Sequence, residues 1–152
     1  MQQNNRLCNI EAIKHHVFGG SSILTIHNLE TDCHFTYKIT KAKKSNLYWV
    51  SVLTMQDNMD DKSYKFLGAV SHEEGYKYSP NSYIKEKSKS NIVATWFFKW
   101  LFNGLLIDRY ENILVYKASN CRKCGHLLTV PLSLTRDLGD CCYEASSLPF
   151  SS

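Results

Sequence analysis

Six cysteines occur in this chain of 152 residues, and four of them fall in one stretch between positions 121 and 142. Cys121 and Cys124 are two residues apart, Gly125 and His126 follow, and the adjacent pair Cys141 and Cys142 closes the segment. In a Cys-x-x-Cys-Gly turn the backbone curls so that both sulfurs face one centre, and glycine relieves the crowding. Such a turn suits a metal of tetrahedral preference, zinc above all. A structural zinc takes four ligands at about 2.0–2.3 Å. Cys121 and Cys124 are the firmest pair. Neighbouring side chains diverge, so Cys141 and Cys142 compete for one position. A further ligand is His126, nearest in sequence, or Cys141, or a group from elsewhere such as Cys8 or His72. Arg122 and Lys123 lie inside the turn, where their charge offsets that of thiolates; the same two residues could meet phosphate. The alternatives are a reduced turn without metal, or three ligands and a water. The last would open a catalytic position, but no acid or base stands convincingly placed as a proton shuttle.

Other reactive constellations are missing from the sequence. It has no Gly-rich phosphate loop, no His-Glu-x-x-His and no nucleophile elbow. A deaminase signature is absent, since His72-Glu73 lacks the intervening residue. The spacing of Asp57-Asn-Met-Asp-Asp61 is not that of a calcium loop, and a bidentate downstream Glu is missing, so it reads as a solvated tip. His15 and His16 point about 100° apart on a helix and cannot share an ion; they read as surface histidines. The expectation is a protein with no reaction of its own.

Apolar residues make up 43% and charged residues 21%, enough for one core. A formal charge of +4 tolerates nucleic acid or an acidic partner without requiring either. Lys41-Ala-Lys-Lys44 and Lys85-Glu-Lys-Ser-Lys89 sit beside turn signals and read as solvated loops. The polar opening Met1–Arg6 is not a signal peptide, and no run approaches the roughly 18 apolar residues of a membrane span. The expected setting is intracellular, with reduced thiols that favour metal over disulfide. Cys8 and Cys33 are then expected as buried small hydrophobes.

These residues need a scaffold. Asn9 can cap a short helix to about Phe18, with Ile10, Ile13 and Val17 on one face and Gly19-Gly20 at its end. From Ile23 the period becomes two. Cys33, Phe35, Tyr37 and Ile39 share one strand face, and His34, Thr36, Lys38 and Thr40 the other. Leu47–Thr54 is apolar on both faces, as a central strand is. Tyr64–Val70 and Tyr76–Tyr78 continue an antiparallel meander. Ser90 is the expected N-cap of a helix over 90–103, with a stripe of Ile92, Val93, Trp96, Phe97, Trp100 and Leu101. Ile113–Lys117 is a last strand leading into the cysteines. The fold class is α+β: an antiparallel meander packed on one aromatic-rich helix, with a C-terminal zinc-knuckle-like segment. The expected divisions are a domain over 1–118, a knuckle over 119–143 and a tail over 144–152.

Cys121, Cys124, Gly125, Leu128, Thr129, Pro131, Ser133, Gly139 and Cys142 fall on the pattern Cys-x-x-Cys-Gly-x-x-Leu-Thr-x-Pro-x-Ser followed by Gly-x-Gly-Pro-x-Cys. With Phe35–Lys38, Trp49–Thr54, Asp57-Asn58, Tyr64–Gly68 and the helix around Trp96 and Trp100, the chain resembles small proteins of phages, prophages and plasmids. These carry a C-terminal domain of unknown function, and the resemblance runs from about residue 17 to 142. It departs at Asp137, where the pattern has glycine, and at Asp140, where it has proline. The resemblance implies Cys142 rather than Cys141 as the third ligand, and the cytoplasm of a bacterial host as the location.

Two functions follow as expectations. By analogy with mobile-element proteins lacking catalytic residues, the chain would block or adapt a host complex, a CRISPR effector or another defence assembly, by protein–protein docking. Tyr76, Tyr78 and Tyr83 would serve as anchors, and the acidic tips Asp57–Asp61 and Glu73-Glu74 could mimic phosphate. The alternative is a nucleic-acid-binding module. There Tyr37, Lys38, Tyr48, Trp49, Lys65 and Tyr76 present rings and charge from the sheet, and Lys43, Lys44, Arg122 and Lys123 meet phosphates. Oligomeric state is not legible.

Overall fold

The computed structural model describes residues 5–55, 58–103, 113–120 and 126–136. Its centre is a seven-stranded antiparallel sheet with the order β1-β7-β2-β3-β4-β5-β6. The strands are β1 (Arg6–Leu7), β2 (Ser21–Asn28), β3 (Cys33–Lys41), β4 (Tyr48–Leu53), β5 (Tyr64–Ser71), β6 (Gly75–Tyr78) and β7 (Ile113–Lys117). The meander expected from the period-two pattern is therefore β2 to β6. After β6 the chain crosses through helix α2 (Lys89–Asn103), and β7 inserts between β1 and β2.

Helix α1 (Ile10–Val17) starts where Asn9 Oδ1 accepts from the Ala12 amide at 2.8 Å. That bond satisfies one of the free N–H groups every helix start leaves. Ile13 and Val17 face the core, and the chain reverses through Gly20 at φ 109°, a conformation that favours glycine. At the β2–β3 tip Asn28 Oδ1 accepts from Glu30 N at 2.9 Å, and Asp32 takes φ 54°. In β5 a bulge opposite Val50/Ser51 pairs Val50 with Gly68 and Ser51 with Phe66. Leu67 is thereby left over and turned inward with no exposure. Bulges re-aim side chains in this way.

Both helices cover one sheet face. Their Ile13, Val17, Ala94, Phe97, Phe98 and Leu101 pack on Leu24, Ile26, Tyr37, Ile39, Val50, Val52, Val70 and Val115. The helix begins one residue before the expected 90, with the Ser88 carbonyl accepting from Ile92 N at 3.0 Å, so Ser90 is a buried helical residue and not the cap. The buried stripe is Asn91, Ala94, Phe97, Phe98 and Leu101. Ile92, expected in it, is 55% exposed. Asn91 decides the rotation: it accepts from Tyr76 OH at 2.7 Å and donates to the Glu86 carbonyl at 2.8 Å. With those partners its burial is favourable, and the helix turns to provide them.

A third, partial layer was not expected. Strands β8 (Ser119–Asn120) and β9 (Leu127–Leu128) pair with each other, and helix α3 (Pro131–Arg136) follows. Leu128 and Leu134 are buried against Tyr116 on the sheet face opposite α2. Beneath them the Thr25 hydroxyl donates to the Thr129 carbonyl at 2.6 Å and accepts from Thr36 at 2.8 Å. Asn58 Nδ2 reaches Thr129 Oγ1 and the Leu127 carbonyl, and Asn5 Nδ2 the Leu134 carbonyl. Among the described residues no helix is long and apolar enough to cross a membrane.

Candidate functional site

Of the expected metal ligands, Cys121, Cys124, Cys141 and Cys142 lie outside the described residues, as do Arg122 and Lys123. His126 is described and exposed. The surrounding backbone still bears on the reading. Antiparallel pairing places Ser119 opposite Leu128 and Asn120 opposite Leu127, so the residues flanking the Cys-x-x-Cys stretch are held side by side. Among the described residues no cluster of three His, Cys, Asp or Glu could hold a metal. Cys8 and Cys33, expected inside, are both exposed. Cys8 occupies the turn between β1 and α1, and Cys33 opens β3 beside a groove at the N-terminal end of α2. His16, expected at the surface, is half-buried with Nε2 3.0 Å from the Ile23 carbonyl. Burial is the main reason its pKa is lowered, and it outweighs that hydrogen bond, which acts the other way.

The expected aromatic platform divides between the two sheet faces. Tyr37 and Tyr48 are buried toward the helices, and Tyr37 OH donates to the Ser90 carbonyl at 2.6 Å. Burial drives the Tyr37 pKa well up. Tyr76 stacks on Phe98 at 5.4 Å between centroids, and burial raises its pKa too. Tyr78 donates to the Ile84 carbonyl. Only Tyr83 of the three anchor tyrosines stands free, at 96% exposure. Trp49 points to the opposite face, 41% exposed, while Lys43 and Lys44 are exposed in the β3–β4 connection. Lys65 is exposed, and Lys38 is taken up by Asp61 at 2.6 Å. That hydrogen bond, then the ammonium charge, holds the Asp61 carboxyl below its ordinary range.

A groove of about 450 Å3 lies where the β2–β3 tip meets the start of α3, lined by His27, Leu29, Asp32, His34, Tyr116, Val130, Pro131 and Leu132. Leu29, Val130 and Leu132 are 49%, 45% and 61% exposed. His27 Nε2 is 2.9 Å from Asp32 Oδ1, and its buried Nδ1 has no partner among the described residues. Burial first, and the His27 ring second, lower the His34 pKa. The groove can accept apolar side chains, with the His27 and His34 rings among its walls. Sequence reasoning missed it because its walls come from segments about a hundred positions apart; the one local signal was Leu29 in an otherwise polar turn. Comparison of the chain with family models, with curated proteins and with solved structures gives no match.

Proposed function

We propose that this chain is a non-catalytic binding protein of phage or mobile-element type that docks on a host protein complex through the groove between the β2–β3 tip and α3. The observation that carries the reading is the meeting of Leu29, Val130 and Leu132 around one groove. Apolar side chains scattered singly over a surface need no explanation, but a group of them around a concavity marks an interaction site. Fully burying such a side chain is worth about 1.5–3 kcal/mol, so three give a partner an apolar centre with Asp32 at the polar rim. The inward turn of Tyr37, Tyr48 and Tyr76 supports docking over a broad base-stacking platform.

The same reading gives Cys121, Cys124 and Cys142, with Cys141 or His126, a structural zinc. Thiolates at this spacing between paired strands suit it, and the ion would tie the β8–β9 connection to the chain leaving α3. Tagged protein with Leu29→Asp and Leu132→Asp, compared with the unsubstituted protein in host lysate, tests the docking surface. The expected result is loss of the same captured partner at unchanged melting temperature. Capture of identical partners by both proteins overturns it.

A further inference from the structure

The part of the second sheet face that β9 and α3 leave uncovered carries a different surface. We propose that it binds single-stranded nucleic acid, with Trp49 stacking on a base and Lys43 and Lys44 on flanking phosphates. Trp49 pairs across the strands with Thr40 and Ala69. These small neighbours leave the indole uncovered, and Phe66 supports it edge-on, 5.9 Å away at 72°. A large exposed ring between small cross-strand neighbours can stack on a base, because every base has a face to offer it.

Charge selects the occupant. Lys43 and Lys44 are exposed just beyond the strand carrying Thr40 and form no ion pair among the described residues. Lys77 lies on the same cross-strand row, opposite Ala69. Acidic groups on this side are Asp61, already paired with Lys38 at 2.6 Å, and Glu73 and Glu74 on the β5–β6 tip; Glu74 pairs with Lys77 at 2.9 Å while both are largely exposed. Such a pair is weak and yields readily to phosphate. Lysine is depleted from protein–protein interface centres, whereas unpaired lysines beside an exposed ring suit a sugar–phosphate chain. Single strands are favoured over duplex because stacking needs an unpaired base. The surface sits at the β3–β4 end of the sheet, away from Leu29 and Leu132 at the β2–β3 end, so the two sites can be tested separately.

The full chain is titrated with fluorescein-labelled oligothymidine and oligouridine at about 50 and about 200 mM salt, reading anisotropy and quenching of tryptophan fluorescence. Binding is expected to fall with salt, to weaken about ten-fold in Trp49→Ala, and to be largely kept in Trp49→Phe. The Lys43→Glu, Lys44→Glu double variant is expected to reduce the logarithmic salt slope by about 1.4, at about 0.7 per lost phosphate contact. Melting temperatures check that each variant folds. Absence of binding at low salt overturns the proposal. So does binding that Trp49→Ala leaves intact, equal affinity for duplex, or loss of a captured protein in these variants without any oligonucleotide affinity.

Discussion

Of the described glycines, Gly68 is the one least able to carry a side chain. A Cβ there would lie 2.2 Å from the Lys77 carbonyl oxygen and 3.0 Å from Tyr78 Cα, both backbone atoms of β6. Gly68→Ala must therefore push the edge strand away, and a loss of about 1–3 kcal/mol in denaturant melts is expected. Titration offers a second single-residue test. Burial holds His16 below the ordinary histidine value of about 6.5. The unfolded chain then binds the proton more readily, so the His16 contribution is whole above that value and lost as pH falls through it toward the lowered folded pKa. Melting temperature is expected to drop between about pH 7.5 and about pH 5.5, and His16→Gln to flatten part of that drop. His34, shifted in the same direction, contributes to the same drop. A pH-independent melting temperature over this window would exclude the assignment.

At the scale of elements, α2 and the C-terminal layer show what could and could not be read from the sequence. The aromatic run from Ile92 to Phe102 gave the helix, but its apolar arc is too broad to fix which side faces inward. The polar residue Asn91 sets the rotation through partners on β6 and in the preceding linker. Phe97→Ala is expected to lower stability by about 3–5 kcal/mol, and Ile92→Lys to change it by no more than about 0.5 kcal/mol. Equal losses in equilibrium unfolding would contradict the observed rotation. Strand alternation was plain in β3, where Phe35, Tyr37 and Ile39 face the helices as expected. The same alternation misled on the other face. Thr25 and Thr36 look solvent-facing, yet they are 0% and 3% exposed beneath Thr129. Threonine pairs on a wet strand and threonines receiving a docked segment are identical in sequence. Thr25→Val leaves the Thr129 carbonyl without its short donor and is expected to cost about 1–3 kcal/mol. Amide exchange should rise at residues 127–134 while β4 and β5 stay protected.

For the molecule as a whole, cysteine chemistry and sheet topology meet in the final quarter of the chain. The proposed zinc would brace the layer resting on Tyr116, so its removal should be felt beyond the cysteines. Cys121→Ser with Cys124→Ser is expected to abolish stoichiometric zinc in elemental analysis and to lower the melting temperature. Metal-free protein whose melting is indifferent to strong chelation sinks the assignment. The groove between the β2–β3 tip and α3 was not legible in the sequence because only the completed fold joins residue 29 to residue 132.

The insertion of β7 between β1 and β2 has a consequence for how the protein is made. Because β1 pairs among the described residues only with β7, and β2 borders β7 on its other side, a nascent chain that ends before Ile113 has an open flank on β2 and leaves β1 without its partner strand. Closure waits for the ribosome to release Lys117. Sequence-distant pairing of this kind slows folding, and an unfilled strand edge invites mispairing with neighbouring polypeptides. Truncation after residue 103 should therefore yield aggregates instead of a smaller soluble unit, visible as a shift of the protein to the void volume on size exclusion.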